Sequence, residues 1–342
     1  MPKKTLLAIV SLCLATLGRA QVLPFEHYSI KDGLASNWVT SIFQDTRGYL
    51  WISGDEGISV YDGVSFKNYG VADGLPVSHI WRVYEGPRSP GTIWIGANNN
   101  AVWKFAQGKF TRIKSNSTPN SCSYFLEDHE GTVWCATGRG VYQVQGDSLV
   151  LFPTGSDSGW APFITQTRDS LVWISIGKNL YRYSPRTRQT ARLDPPIAQA
   201  PVTCMLEDGD GSLWFGDEAG FVHLWRNNRI EASRQVNFKE VHDARQLHEV
   251  LDDGEGNLWF ATSNGIIKVA KQNFSAGSVT RLATENGLRD YDITSCRRDR
   301  EGNLWFGSRA DGLVKLSDRQ VFCFPLAGLR PARHSACPGV GA

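Results

Sequence analysis

Several aromatic and polar residues stand just before short apolar segments, where loops would lead into strands. Trp and Tyr rings beside hydrogen-bonding side chains suit a sugar ring, because its C–H faces stack on an aromatic surface while its hydroxyl groups form hydrogen bonds. The same residues would also be typical of ordinary exposed loops. We predict ligand contacts, with an oligosaccharide or another small molecule, from Asn37, Trp38, His79, Trp160, Arg245 and Tyr291.

Short catalytic motifs do not occur in the sequence. There is no G-x-S-x-G elbow, no H-E-x-x-H pair, no phosphate-binding loop and no cluster of His and Cys with metal-ligand spacing. The segment Asp208 to Gly211 resembles a calcium loop, but it coincides with a turn that recurs through the chain. We therefore predict a protein that is not an enzyme and that uses no cofactor and no metal. A catalytic site assembled from residues far apart in sequence is the alternative.

A tripeptide of an aliphatic residue, Trp and then Ile, Phe or Cys recurs at intervals of 39 to 46 residues. Gly stands three residues before six of the seven Trp, and Asp stands six residues before five of them. The fixed offset and the aliphatic neighbours indicate buried structural anchors rather than a row of ligand-binding rings. The anchors are Trp51, Trp94, Trp134, Trp173, Trp214, Trp259 and Trp305.

The elements that position these residues are short strands. In the first unit, β-branched and aromatic residues are concentrated in Val39 to Gln44, Tyr49 to Ser53, Ile58 to Tyr61 and Ser65 to Tyr69. Units of about 40 residues with four such strands predict the blades of a propeller. The predicted fold is all-β, a seven-bladed β-propeller of four-stranded antiparallel blades.

The two ends of the chain have other patterns. Residues 1 to 20 have the basic start, short apolar run and small-residue end of a cleavable secretory signal peptide. We predict a propeller over residues 21 to 329 and an irregular C-terminal tail over residues 330 to 342. No other segment has the length of apolar sequence that a membrane span needs.

Two segments compete for the outer strand of the last blade. They are Phe25 to Ile30 and Gln320 to Pro325, and either could complete it, so the sequence leaves an incompletely closed ring as an alternative. Gly328 and Leu329 have the pattern that opens a further repeat, which the tail does not continue. We therefore hypothesise a truncated or frame-shifted chain.

Three units carry a longer pattern, which runs Gly-Leu, a short polar loop, an aliphatic strand that ends in Asp, and then Gly-x-Leu-Trp-Ile-Gly. They span residues 32 to 54, 73 to 96 and 286 to 307, while the third to sixth units keep the Trp core alone. With this pattern the chain resembles the two-component regulator propeller repeat family over residues 25 to 329. The resemblance implies the periplasmic sensory region of a membrane histidine kinase, frequently a hybrid one, that senses oligosaccharides or other nutrients.

The sequence departs from that family after the propeller, where it has no kinase core and no membrane span. We therefore expect an exported, periplasmic or secreted, ligand-sensing propeller module of a two-component signalling system that lacks its own kinase region. Association with a membrane sensor, or a homodimer, would connect it to signalling. The alternatives are a stand-alone carbohydrate-active propeller enzyme, lyase or glycosidase, and a protein-binding scaffold.

Charge and cysteine content narrow the choice of partners. The chain has 36 Lys plus Arg against 34 Asp plus Glu, which argues against nucleic acid as a partner.

Cys135, Cys204 and Cys296 lie in strand-like apolar runs and are expected to be buried as small apolar side chains. A bridge between Cys122 and Cys135 within one hairpin is an alternative.

Overall fold

The structure is a computed structural model that describes residues 22–75, 79–98, 101–115, 119, 121–154, 159–193, 198, 200–236 and 246–317. These residues form β-strands joined by turns, with short 3-10 helices at three loops. The predicted signal peptide (1 to 20), Arg245, the segment Gln320 to Pro325 and the tail (330 to 342) lie outside the described residues. Within the part that is described, no helix has the length and apolar character needed to cross a membrane.

The strands form antiparallel meanders of four. The first three are β2 (Val39–Gln44), β3 (Leu50–Gly54), β4 (Gly57–Tyr61) and β5 (Phe66–Tyr69); β6 (Ile80–Glu85), β7 (Ile93–Ala97), β8 (Ala101–Ala106) and β9 (Lys109–Ser115); and β10 (Cys122–Glu127), β11 (Val133–Thr137), β12 (Gly140–Gln145) and β13 (Ser148–Leu151). The outer strands β9 and β13 also pair with each other in parallel, so the second and third meanders share one sheet.

The remaining meanders follow the same order. They are β14 (Phe163–Gln166), β15 (Val172–Ile176), β16 (Asn179–Ser184) and β17 (Gln189–Arg192); β18 (Val202–Glu207), β19 (Leu213–Asp217), β20 (Phe221–Arg226) and β21 (Arg229–Gln235); β22 (Leu247–Asp252), β23 (Asn257–Thr262), β24 (Gly265–Ala270) and β25 (Val279–Leu282); and β26 (Ile293–Arg298), β27 (Leu304–Ser308) and β28 (Leu313–Leu316) with the N-terminal β1 (Glu26–Tyr28).

The first strand of each meander is innermost in the ring. Innermost strands of successive blades contact each other, and β2 contacts both β6 and β26, so the ring is closed. Apolar side chains fill the seams between blades; Trp305 of the last blade, for example, packs with Val39 and Ile52 of the first. The predicted all-β propeller of four-stranded antiparallel sheets is confirmed.

The N-terminal strand closes the ring. β1 pairs antiparallel with β28, with Glu26 opposite Lys315, His27 opposite Val314 and Tyr28 opposite Leu313. Of the two segments predicted to compete for this place, the N-terminal one forms the outer strand, and the last blade is complete within the described residues. Closure by the two ends of the chain protects edges that would otherwise be open.

The Gly-Leu start of the longer repeat pattern forms a short 3-10 helix and its cap. The helices Ile30–Asp32, Val71–Asp73 and Thr284–Asn286 each end at a glycine in the left-handed region, with φ of 101°, 89° and 104°. Glycine adopts this conformation without the strain that a side chain would bring. The pattern therefore encodes a fixed change of direction before the innermost strand.

The anchor Trp are 1–6 % exposed, and a hydrogen bond explains the Asp six residues before them. The indole N–H of Trp51 donates to Asp45 at 3.0 Å, and equivalent bonds of 2.7–3.3 Å join four further Asp–Trp pairs. In the fourth blade Thr167 replaces Asp and accepts from Trp173 at 3.1 Å. In the second blade the Trp94 indole N–H is buried without a partner.

The four described cysteines are Cys122, Cys135, Cys204 and Cys296, and all are buried, free thiols. Cys122 stands opposite Thr137, and Cys135 stands opposite Phe125. The two are therefore not a directly opposed pair on neighbouring strands, the arrangement that brings two Cβ atoms closest. The bridge that the hairpin spacing allowed is not formed.

We expect Gly312→Ala to destabilise the propeller by about 2–4 kcal/mol, since it combines left-handed backbone strain with a steric clash. Gly312 has a φ of 84°, and a Cβ there would collide with the carbonyl oxygen of Tyr28 in the closing strand. Gly63→Ala is the matched control, because its φ is 99° and a Cβ there has no heavy atom within 4 Å. Equal losses for the two variants in urea unfolding would contradict a special role for the closure.

Candidate functional site

One end of the central channel widens into a cavity of about 510 Å³. Its walls come from the starts of the innermost strands, from the loops that lead into them, and from two loops between second and third strands that carry Ser263 and Arg309, so each blade contributes one to three residues. Three Trp face it, namely Trp38, Trp81 and Trp160. The cavity therefore combines aromatic surface with polar groups supplied by residues far apart in the sequence, as ligand sites commonly do.

β-bulges direct side chains into the cavity. In six of the innermost strands the register with the second strand shifts by one residue near the start, which leaves one extra, unpaired residue. A bulge bends its strand and changes where a side chain points. In the fourth blade β14 pairs without a shift, and Trp160 and Pro162 of its preceding loop line the cavity. The six bulge residues all line the cavity, and they are Thr40, Trp81, Ser123, Thr203, His248 and Thr294.

Three of the bulge residues are threonines that join neighbouring blades. The hydroxyl of Thr40 donates to the carbonyl of Ile80 in the next blade at 2.5 Å. Thr294 makes the equivalent bond to Val39, also at 2.5 Å, and Thr203 bonds the carbonyl of Leu247. These hydroxyls satisfy backbone groups between blades, so their main contribution is to the ring itself.

The other large bulge residues have ring nitrogens that no protein group satisfies. The Nε1 of Trp81 and the Nε2 of His248 are buried without a hydrogen-bond partner. Burial lowers the pKa of His248, although nearby Asp292 and Glu249 act in the opposite direction. A buried polar group without a partner is costly unless water or a ligand satisfies it. Both rings line the cavity through their other atoms, while these two nitrogens are covered by neighbouring protein groups.

An ion pair forms the floor of the cavity. Nη2 of Arg82 lies 2.6 Å from Oε1 of Glu249, and the Arg82 guanidinium lies 4.1 Å from the ring centre of Tyr124. Burial opposes the charge on Arg82, but the attraction of Glu249 together with that of Tyr124 holds the Arg82 pKa above its usual range. Burial also raises the pKa of Tyr124 to about 12. The floor is therefore a charged but internally compensated layer.

Aromatic and charged side chains also form the wall above that floor. The His79 ring packs edge-on against Trp38 and Trp81, with centres 5.0 and 4.4 Å apart. Burial lowers the pKa of His79, which favours the neutral ring. The Arg309 guanidinium lies 4.8 Å from the Trp38 ring centre and 3.4 Å from Asp292, so each charge in this wall has an opposite charge nearby.

The predicted contact residues divide into three groups. Trp38 and Trp160 line the cavity, and His79 packs behind Trp38. Asn37 instead accepts a hydrogen bond from the Ile30 backbone at 3.0 Å, and Tyr291 is 57 % exposed outside the lining. Arg245 lies outside the described residues. The six residues therefore do not form one cluster.

Sequence reasoning missed Trp81, Arg82 and His248 as site residues. Each follows the buried aliphatic residue that begins an innermost strand, by one or two positions. The repeat locates this position in each blade, but the residue that occupies it differs from blade to blade. Residue type therefore did not indicate that these positions line a cavity. Within the described residues, no group of three His, Cys, Asp or Glu could hold a metal ion.

Comparison with known sequences agrees with the fold. Residues 33–56, 196–219 and 287–310 match the profile described as "Two component regulator propeller". These three segments are similar to repeats of the two-component regulator propeller family. Two of these segments are units in which the full pattern is visible, whereas the third belongs to the fifth unit, where only the Trp core is evident. No curated protein matches the chain.

Solved structures with the same fold include parts of sensory systems. The extracellular domain of BT3049 from B. thetaiotaomicron, described as a hybrid two-component system, superposes with a TM-score of 0.72 at 20% identity over 87% of this chain and 42% of that one. The extracellular domain of BT4673, described likewise, gives 0.70 at 19% identity over 86% and 39%. The propeller thus spans about two fifths of the length of these domains.

An enzyme shares the fold as well. Virginiamycin B lyase from Staphylococcus aureus superposes on the propeller with a TM-score of 0.69 at 15% identity, over 86% of this chain and 99% of the lyase. At such identities the likeness establishes the fold alone, so the function rests on the residues of the cavity.

Proposed function

We propose that this chain is a ligand-sensing propeller module of a two-component signalling system, which works outside the cytoplasm and binds an oligosaccharide or another small molecule. The kinase activity would belong to another part of the system, reached through a membrane sensor or a homodimer. The repeats of the two-component regulator propeller family and the fold shared with extracellular domains of such systems support this role.

The observation that carries the proposal is the cavity at the channel mouth. Trp38, Trp81 and Trp160 come from three blades and offer aromatic surface, and polar lining side chains such as Ser121, Gln246 and Arg309 lie among them. Aromatic faces combined with a few polar groups suit a ligand with apolar faces and polar edges, such as a sugar ring.

A carbohydrate-active or other propeller enzyme is the second candidate, favoured by the likeness to virginiamycin B lyase and by His248 at the cavity. Oδ1 of Asp292 lies 3.9 Å from Nε2 of that ring. Among the described lining residues, Asp292 is the single carboxylate, and Arg309 lies beside it. Glycoside hydrolysis generally requires a pair of carboxylates, so this lining favours binding over hydrolysis.

The test is a thermal-shift screen of the purified protein against a panel of neutral and acidic oligosaccharides, with product analysis by chromatography. A ligand at a hundred times its dissociation constant should add about 2.7 kcal/mol to the stability of the folded state.

Trp160→Ala should weaken binding about tenfold, which corresponds to ~1.4 kcal/mol. Tyr49→Ala, a partly exposed aromatic remote from the cavity, should leave affinity unchanged. Product formation would instead establish the enzyme.

A further inference from the structure

We infer that the cavity binds the end of a linear oligosaccharide chain, which enters through a single mouth, and that it does not bind internal segments of such a chain. This inference rests on the proposed function and deepens it, because it names the part of a sugar chain that the same cavity takes. It follows from the wall, the floor and the mouth of the cavity.

The wall of the cavity surrounds the channel, because every blade contributes to it. The innermost strands of successive blades contact each other around the closed ring. A site that holds the middle of a polymer has to be open at two opposite sides, so that the chain can both enter and leave. Here the described lining instead follows the ring, and one lining residue from each blade in turn is Thr40, Trp81, Ser123, Pro162, Thr203, His248 and Thr294.

The floor closes the inner end of the cavity. Arg82 and Glu249 bridge the channel from the second blade to the sixth at 2.6 Å, and the ring centre of Tyr124 lies 4.1 Å from the Arg82 guanidinium. The Tyr124 ring in turn packs edge-on against the buried ring of Phe163, with centres 5.2 Å apart. Passage through this layer would separate a buried ion pair, which is strongly unfavourable. A chain that enters the cavity therefore stops at the floor.

The mouth lies opposite the floor and has the most exposed side chains of the lining. Trp160 is 43% exposed, and the Arg309 side chain, which lies 4.8 Å from the Trp38 ring centre, is 59% exposed. The Arg82 side chain at the floor is 16% exposed. The backbone carbonyl of Trp160 accepts a hydrogen bond from the Gly177 N–H at 3.0 Å, which holds its loop in place. An exposed ring so placed can stack on a sugar unit that follows the units inside.

The volume of the cavity sets how much of a chain can enter. At about 510 Å³ it lies within the range of about 300–1,000 Å³ that is typical of sites for small, drug-sized molecules, which is the size of a di- or trisaccharide. An internal segment would have to bend back on itself and bring two lengths of chain into this space. A chain end brings one length only, so it fits where an internal segment does not.

The experiment measures affinity and stoichiometry by calorimetry. Maltotetraose, xylotetraose and arabinotetraose are each compared with a long soluble chain of the same linkage, and maltohexaose is compared with α-cyclodextrin, a ring of the same glucose units that has no ends. The two ends of a linear chain differ chemically, so a site for one end binds each chain once. A site for internal segments loads several protein molecules on one long chain.

Trp160→Ala tests the mouth. We expect this variant to bind the tetrasaccharide about tenfold more weakly and the disaccharide of the same linkage less than about threefold more weakly, because the stacked outer unit is absent from the shorter probe. Tyr49→Ala is the control for loss of an exposed aromatic outside the lining. Melting temperatures of both variants show that each remains folded. Equal losses for the two probes would contradict an outer subsite at Trp160.

We expect the sugars that bind to do so with one protein molecule per chain at either length, and α-cyclodextrin to fail to bind. Several protein molecules on one long chain, or α-cyclodextrin binding as tightly as maltohexaose, would overturn this inference and leave the sensory role standing. Failure of every sugar in the wider panel would instead overturn the proposed function.

Discussion

Replacing Glu249 with leucine is expected to lower the free energy of unfolding by about 3–5 kcal/mol, the usual effect of removing one member of a buried ion pair. The side chains of Arg82 and Glu249 are 16% and 10% exposed. The carboxylate also accepts a hydrogen bond from the backbone N–H of Cys296 at 3.0 Å. The variant therefore leaves both a guanidinium and a backbone donor without their partner.

Urea unfolding of two further variants separates pairing from packing. The double variant Arg82→Met with Glu249→Leu should regain most of the lost stability, because two apolar residues remove the uncompensated charge. Asp147→Asn is the control, since Asp147 is 71% exposed and 3.8 Å from Lys104, and its loss should be below about 1 kcal/mol. A Glu249→Leu protein as stable as the parent would show that the ion pair contributes nothing to the ring.

Asp299→Ala is expected to destabilise the propeller by about 3 kcal/mol, because it removes three hydrogen bonds to a charged group in a buried place. One oxygen of Asp299 accepts from the Trp305 indole at 2.7 Å and from the Asn303 amide at 2.8 Å. The other accepts from the Asn303 backbone at 2.8 Å. Chemical denaturation monitored by Trp fluorescence measures the change.

A pair of Trp variants isolates the indole bond within that network. Trp305→Phe should be destabilising by about 1–3 kcal/mol, since it leaves Asp299 without its indole donor and removes buried surface. In Trp94→Phe the lost N–H had no partner, so the loss of buried surface is offset by removal of an unsatisfied donor. The loss at Trp94 should therefore be clearly smaller. An equal loss at both sites would rule out a substantial contribution from the Asp–Trp bond.

The repeat could be recognised in the sequence because the contacts that define it join residues close together in the chain. Asp299 and Trp305 are six residues apart and bond directly, so their spacing is the same wherever the same hairpin forms. Gly33 and Leu34 could be recognised for a similar reason, because the glycine caps the 3-10 helix Ile30–Asp32 that directly precedes it in the sequence. Such contacts need only the geometry of one hairpin or loop, and therefore leave a regular pattern.

The N-terminal strand was predictable as a candidate, but its place in the ring was not. Glu26 to Tyr28 resembles the outer strand of a blade and has no neighbour in sequence to pair with. The pattern of Gln320 to Pro325 is similar, and a propeller offers one open edge, at the last blade. The pairing of β1 with β28 was therefore decided by the tertiary structure and not by the repeat.

The cavity was only partly predictable. Trp38 and Trp160 were expected to contact a ligand from their positions before innermost strands, and they line it. Trp81 and His248 were missed because a bulge, and not strict alternation of the strand, turns them toward the channel. A register shift of one residue is set by pairing with the second strand. It does not require a particular residue type at the bulge, so no sequence motif marks it.

The sequence alone therefore specified the blades and their anchors, since each follows from a contact repeated at short and constant spacing. The tertiary structure decided the composition of the channel. Arg82 and Glu249 are 167 residues apart and belong to blades that are not neighbours, and no local pattern links them. Only the closing of the ring brings them within 2.6 Å, because that contact depends on the arrangement of all the blades around one channel.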